Sequence, residues 1–202
     1  LFCVMNFLAH FVLSYPNREL MVGNYILDLI TKKEEKLLHA TFIDGVKMHL
    51  WIDKSTDEHP HVKKIVSMLR PAVHKYAPVA ADILLDHLLF KNWNRYVDKD
   101  YDEFADHIYQ LLLSQLNFFP DKAKFITERM VNGLWLNQYK SIEGIQDVMT
   151  RMNRKATFEV DFNQSVQVFT DQFEIFEHHF LSFFDDMFKA AQQWPILQSE
   201  MK

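Results

Sequence analysis

Apolar residues recur every three or four positions along almost the whole chain, which is the spacing that places them on one face of an α-helix. Only four glycines and six prolines interrupt the 202 residues, which disfavours a turn-rich β protein. The pattern predicts helices at about 5–14, 17–31, 39–54, 60–71, 77–97, 101–117, 120–138, 141–154 and 158–193. We therefore predict an all-α protein, built as a single-domain helical bundle over residues 1–202.

Composition narrows the class of protein further. Hydrophobic residues make up 49% of the chain, and a formal net charge of −5 gives no reason to expect nucleic-acid binding. The single Cys3 excludes an intrachain disulfide and suits a reducing, cytoplasmic location. The apolar N-terminal stretch is interrupted by Asn6 and His10, so no membrane span is predicted. Residues 1–4 are interpreted as an extension ahead of a start at Met5.

The segment 49–60 concentrates side chains that can bind a metal. His49 and Asp53 are four residues apart and share one helix face, which continues an apolar stripe. A carboxylate on such a face must be paired or bind a cation, because desolvating it alone is too costly. Asp57 and His59 follow one turn later. The alternatives are an ion pair between His49 and Asp53, a helix cap at Asp57 and a surface position for His59.

Polar groups also stand among apolar neighbours on three other predicted helices, at His10, at Asp28 and at the pair Asp86-His87. Each of them alone could be a hydrogen-bonded core residue, but together they form a ligand set if the helices converge. Mixed histidine and carboxylate ligands suit Mn²⁺, Fe²⁺ or Mg²⁺, and the cysteine count excludes Cys-based zinc. No Gly-rich phosphate loop, nucleophile elbow or H-E-x-x-H motif is present.

Several short segments between Met5 and about Asn153 form a specific combination. They are Met5–His10, Gly23-Asn24 with Asp28, His49–Pro60, Asp86-His87 followed by Trp93, Trp135-Leu136 with Tyr139, and Ile142–Ile145. Together they resemble the acyl-carrier-protein phosphodiesterase family. The final predicted helix resembles the family only in its general character and carries none of these motifs. The resemblance implies a fold distantly similar to HD-domain phosphohydrolases and a divalent metal, with Mn²⁺ preferred. It also implies hydrolysis of the phosphodiester that joins 4′-phosphopantetheine to holo acyl carrier protein, in fatty acid metabolism.

Site roles follow as expectations from the residues and the resemblance together. The candidate metal ligands are His10, Asp28, His49, Asp53, Asp57, Asp86 and His87. The expected catalytic residues are Asp28, His59 and His87, with His59 or His87 protonating the leaving oxygen. Asp86-His87 reverses the order of the His-Asp doublet of classical HD enzymes, so the residues that bind the metal directly cannot be transferred from those enzymes.

An acidic carrier requires a local basic surface on an otherwise acidic protein. Lys63, Lys64 and Arg70 are the first choice, followed by Lys32, Lys33 and Lys36, and then by Arg151, Arg154 and Lys155. Each cluster can equally be a solvated face. Two other functions also stay open. A phosphohydrolase of small phosphoesters or nucleotides would act without a carrier, and a catalytically silent helical binding protein would bind no metal.

Overall fold

The computed structural model describes residues 7–200, with side chains for residues 7–197, so the interpreted start at Met5 lies outside the described residues. Within this range the chain forms twelve α-helices and no strand, which confirms the all-α prediction. The helices are α1 (Phe7–Ser14), α2 (Arg18–Ile26), α3 (Lys32–Glu35), α4 (Ile43–Glu58), α5 (Pro60–Val73), α6 (Ala77–Lys91), α7 (Tyr101–Ser114), α8 (Asp121–Asn132), α9 (Ile142–Asn153), α10 (Asn163–Asp171), α11 (Phe173–Ala191) and α12 (Pro195–Glu200). Short 3₁₀ turns lie at Leu27–Leu29, Ala40–Phe42, His74–Tyr76, Trp93–Arg95, Leu116–Phe118 and Trp135–Lys140.

The single helix predicted at about 158–193 is wrong. Two helices, α10 and α11, take its place, and they meet at Gln172, whose φ of −125° and ψ of 28° are not helical. Ahead of α10, the Phe162 N–H donates a hydrogen bond of 2.7 Å to Asn153 Oδ1, which ties this segment to the end of α9. Phe162 is fully buried there. Tertiary packing has overridden the apolar periodicity that predicted one continuous helix.

Helix starts are set locally by capping side chains. Asn17 accepts a hydrogen bond of 2.8 Å from the first turn of α2. Thr31 and Glu34 form a reciprocal capping box at α3, and Ser141 accepts a hydrogen bond of 3.1 Å at the start of α9. These oxygens satisfy backbone N–H groups that a first helical turn leaves without partners, so the sequence fixes where these helices begin.

Helix α6 lies at the centre of the molecule and is buried on nearly all sides. It packs against α1, α5, α9, α10 and α11. Leu84 and Leu88 have no exposed surface, and Asp86 on the same helix is also fully buried. A helix that is apolar all round belongs in a core, where a carboxylate must find polar partners. Within residues 7–200, neither α6 nor any other helix is long and apolar enough to cross a membrane.

Helices α2 and α4 cross in direct backbone contact at Gly23 and Gly45. A Cβ atom added to Gly23 would lie 2.1 Å from a carbonyl oxygen, and one added to Gly45 would lie 2.5 Å from another. Only glycine permits this approach. The crossing places His49 of α4 beside Asn24 of α2, with 2.7 Å between His49 Nδ1 and the Asn24 carbonyl oxygen.

Candidate metal site

Three predicted ligands from two distant segments converge in the structure. One ligand atom each of His10, His49 and Asp53 lies within 4.8 Å of the others, and no other such group of three occurs among the described residues. We call these three residues the ligand cluster. The Asp53 carboxylate lies 3.4 Å from His10 Nε2 and 3.1 Å from His49 Nε2. Both histidines are buried, whereas the Asp53 side chain is 49% exposed, so the cluster opens to solvent on the side of this carboxylate.

Asn24 orients both histidines, although sequence reasoning gave it no role. Its Oδ1 lies 2.6 Å from His10 Nδ1, and its backbone oxygen lies 2.7 Å from His49 Nδ1. Its amide nitrogen donates to the His10 carbonyl oxygen at 3.0 Å, which fixes the orientation of the amide. Each Nδ1 therefore donates a proton to an oxygen, and each Nε2 is left as the nitrogen that can bind a metal.

The geometry of the ligand cluster fits a cation. The two imidazole rings stack with centroids 4.5 Å apart, and the Nε2 atoms of both rings face the Asp53 carboxylate. His10 Nε2 is buried without a hydrogen-bond partner, and its 3.4 Å approach to Asp53 is not a well-formed hydrogen bond. A buried polar atom without a partner is costly, and a bound metal would supply that partner.

When no metal is bound, a proton on His49 supplies the positive charge in the ligand cluster. Burial lowers the pKa of His49, but the hydrogen bonds and charges of Asp28 and Asp53 outweigh it and raise that pKa to about 10. Burial raises the pKa of Asp53, yet the adjacent His10 and His49 side chains outweigh this effect and bring that pKa well below its ordinary value. A protonated His49 thus occupies the position between the carboxylates that a metal cation would take.

Three further carboxylates interact electrostatically with the ligand cluster. Asp28 Oδ1, on the 3₁₀ turn after α2, lies 3.4 Å from His49 Nε2. Burial raises the pKa of Asp57, and the charge of Asp53 raises it further. Burial also raises the pKa of Asp82 well above its ordinary value, and the nearby charges that add to this effect belong to Asp86, Asp57, Asp53 and Asp28. Mutual repulsion of this kind is what a divalent cation relieves.

Asp82 was missed by the sequence analysis, although a signal for it exists. It stands four residues before Asp86 on α6, so the two share one helix face. The charges of Asp57 and Asp53 on α4 are among those that raise the pKa of Asp82.

Asp86 and His87 lie apart from the ligand cluster. The Asp86 carboxylate accepts hydrogen bonds from the backbone N–H groups of Leu8 at 3.1 Å and Ala9 at 3.0 Å. Burial raises the pKa of Asp86 to about 8, against the effect of these hydrogen bonds. His87 Nδ1 lies 2.7 Å from the Tyr139 carbonyl oxygen, and burial lowers the pKa of this histidine. Asp86 therefore holds the first turn of α1, the helix that carries His10.

His59 and the three expected docking residues lie on or beside α5. His59 caps α5, and its Nε2 is 3.5 Å from an Asp186 carboxylate oxygen. Lys63, Lys64 and Arg70 are exposed and form no ion pair with a carboxylate in the part of the chain that the structure describes. These three cationic side chains are thus accessible to solvent.

The fold and site define an all-helical protein with a histidine and carboxylate site suited to a divalent cation. The family model for acyl carrier protein phosphodiesterase matches residues 5–187. The chain belongs to that family, and the match reaches into α11, beyond the segments that carried the resemblance in sequence.

Individual relatives agree with this assignment. Proteins named acyl carrier protein phosphodiesterase from Klebsiella pneumoniae (strain 342) and Yersinia pestis are 28% and 25% identical to the chain, each covering 93% of it and 98% of the relative. The protein of that name from Photorhabdus laumondii is 27% identical over 93% of this chain and 96% of its own. No solved structure matches the chain, so the likeness to HD-domain enzymes stays a prediction.

Proposed function

We propose that this protein is a divalent-metal-dependent phosphodiesterase that removes 4′-phosphopantetheine from holo acyl carrier protein. The observation that carries the proposal is the ligand cluster, in which Asn24 fixes the Nδ1 atoms of His10 and His49 so that both Nε2 atoms are available. Membership of the family supplies the substrate. We further propose that the whole chain forms one catalytic domain.

The metal would be held by His10 Nε2, His49 Nε2 and the Asp53 carboxylate, with Asp28 as the fourth protein ligand. Two nitrogens and two carboxylates suit Mn²⁺, with Fe²⁺ or Mg²⁺ as alternatives. A bound cation of this kind lowers the pKa of a water molecule and polarises the phosphoryl oxygen. Asp53 faces solvent, so substrate would approach from its side.

The remaining acidic and histidine residues have roles that follow from their surroundings. We assign Asp57 and Asp82, beside the ligand cluster, to proton movement or to a second cation, since their raised pKa values mark carboxyls that hold protons near neutral pH more readily than an ordinary aspartate. His59 is partly exposed and can protonate the leaving serine oxygen. His87 is buried with its Nδ1 engaged, so we assign it to positioning α6.

The decisive experiment combines metal analysis with cleavage of the carrier. Purified protein should contain a divalent metal, convert holo carrier to apo carrier on a mobility-shift gel, lose activity with a chelator and regain it with Mn²⁺. Because the site has no phosphate-binding loop, binding energy must come from the pantetheine arm and the carrier. We therefore expect carrier cleavage to exceed hydrolysis of bis(p-nitrophenyl) phosphate by ~100-fold or more in kcat/KM.

Two outcomes would overturn the proposal in different ways. Equal efficiency on both substrates would indicate a general metal-dependent phosphohydrolase. Absence of bound metal, together with no hydrolysis of either substrate, would indicate a helical binding protein that keeps the family fold without its chemistry.

A further inference from the structure

A cavity of about 290 Å³ lies between α8, α9 and the 3₁₀ turn Trp135–Lys140. Its apolar wall consists of Phe7, Phe125, Ile126, Trp135, Val148 and Met152. Three cationic side chains, Arg129, Arg151 and Lys155, complete the lining. None of the ligand cluster residues contributes to it, so the cavity is a separate site.

We propose that this cavity binds an amphiphilic anion, a molecule with one unbranched aliphatic chain and a carboxylate or phosphate head group. The chain would occupy the apolar wall, and the head group would lie against the two guanidinium groups and the ammonium group. This inference does not depend on the phosphodiesterase activity.

The three cations are available to an external anion. No carboxylate lies within 4.0 Å of Arg129, Arg151 or Lys155 among the described residues. Arg129 lies over the Phe125 ring at 5.7 Å, and Arg151 donates to the Gln138 side chain, so both are held in place by neutral groups. Guanidinium groups with free donors bind carboxylate and phosphate oxygens in pairs.

Paired cations elsewhere on the surface make this contrast plain. Arg95 forms a 2.6 Å ion pair with Asp185, and Lys140 forms one of 2.7 Å with Asp102. The cavity differs from these two sites because three basic side chains line one small volume and none of them is paired with a carboxylate among the described residues. Like charges gathered without counter-charges repel one another, and a bound anion removes that cost.

The apolar wall favours a chain rather than a simple ion. Phe125 is 58% exposed at the rim, although burial of an aromatic side chain is favourable. A volume of about 290 Å³ stands at the lower end of small-molecule pockets. It can take one chain, whereas a helix of a partner protein would need an extended groove.

Isothermal titration calorimetry with the intact protein tests this inference. Decanoate and decyl phosphate carry the proposed chemistry with the two head groups, decanol has the chain alone, and acetate has the charge alone. We expect decanoate, decyl phosphate or both to bind at concentrations below those at which they form micelles. The affinity of the tighter anion should be at least about tenfold higher than that of decanol or acetate. The tighter of the two anions identifies the head group.

Two variants assign the interaction to the cavity. The double substitution R129Q and R151Q should weaken binding of the anion at least about tenfold, because it removes both guanidinium contacts with the head group. F125S should weaken every probe with a chain. The matched control is R154Q, because Arg154 is exposed on the same segment but does not line the cavity. H49A should bind the anion normally, which separates this test from the metal site.

Equal binding of decanol and decanoate, an unchanged affinity in the R129Q and R151Q protein with its helical circular dichroism intact, or no binding of any probe would each overturn the inference. If the double variant unfolds, the single substitution R129Q at an exposed position provides the same comparison.

Discussion

Two groups of histidines in this molecule differ in what surrounds them. In the ligand cluster, His10 and His49 are buried, their Nδ1 atoms face oxygens of Asn24, and carboxylates lie beside their Nε2 atoms. The surface histidine group comprises His61, His178 and His179, where α5 meets α11.

In the surface histidine group the histidines face one another. His61 Nδ1 lies 2.8 Å from His179 Nδ1, and within the described residues no carboxylate lies within 4.0 Å of a ring nitrogen of the group. Burial lowers the pKa of His179, and the charges of His61, His178 and Lys64 add to this effect. In these two groups, the partner of the second ring nitrogen, and not the number of histidines, decides which group is suited to a metal.

Removing a ligand should produce the largest effect. We expect H49A and D53A to lower carrier cleavage by ~1,000-fold or more, because the Lewis acid supplies several kcal/mol of transition-state stabilisation. H179A, in the surface histidine group, is the matched control and should keep activity within about twofold. Steady-state kinetics with saturating Mn²⁺, together with circular dichroism, measure the difference. Normal turnover by D53A would remove Asp53 from the metal site.

The pH dependence of metal binding should be the next largest effect. His49 has a pKa of about 10 in the metal-free protein, so at neutral pH the metal must displace a proton. Affinity for Mn²⁺ should therefore rise with pH, by up to about tenfold per unit between pH 6 and 9. Titration calorimetry in buffers of different ionisation enthalpy counts the proton released. An affinity that does not change over this range would contradict the assignment.

The same raised pKa also acts on the stability of the metal-free fold. A histidine whose pKa is higher in the folded state stabilises the fold fully below its unfolded value of about 6.5, and this contribution is lost as pH rises through about 10. The lowered pKa of Asp53 acts at the other end, because its contribution is lost as pH falls below about 4. Thermal unfolding of the metal-free protein should therefore show declining stability between pH 7 and 10.

Changing the residue that orients the histidines should have a smaller effect. N24A removes the acceptor at His10 Nδ1 and leaves the backbone acceptor at His49 Nδ1 in place. We expect the affinity for Mn²⁺ to fall ~10- to 100-fold, as is typical of residues behind metal ligands. N94A, at an exposed position, is the control. If N24A binds Mn²⁺ as tightly as the unaltered protein, Asn24 has only a packing role.

The sequence indicated the chemistry of the site better than its geometry. The helical spacing of His49 and Asp53 predicted their common face, and their polar character on an apolar stripe predicted a cation site. Periodicity alone could not show that α1 brings His10 beside His49 and Asp53. This arrangement depends on the backbone contact of Gly23 with Gly45 and on the hydrogen bonds by which Asp86 holds α1. Packing decided these contacts.

Asn24 illustrates the remaining gap. An asparagine within an apolar helix carries no charge, so its polarity alone does not distinguish a hydrogen-bonding core residue from one that orients metal ligands. Its role emerges only where its side chain reaches one helix and its backbone carbonyl reaches another.

The smallest predicted effect concerns the lysines of α5 beside the surface histidine group. Lys63 and Lys64 are exposed on α5, and the charge of Lys64 contributes to lowering the pKa of His179 in the surface histidine group. Because the proposed carrier is acidic and the lysines touch no ligand cluster residue, they should act on encounter and not on chemistry. We expect K63E with K64E to raise KM for holo carrier about three- to tenfold at low ionic strength, with kcat nearly unchanged.

The same reversal at Lys32 and Lys33 is the comparison, since these exposed lysines lie on α3. An unchanged KM for the K63E and K64E protein, with a raised KM for the protein changed at Lys32 and Lys33, would move the docking surface to α3. A fall in kcat for the K63E and K64E protein would instead place the surface around these lysines within the catalytic region, and the two histidine groups would then no longer be functionally separate.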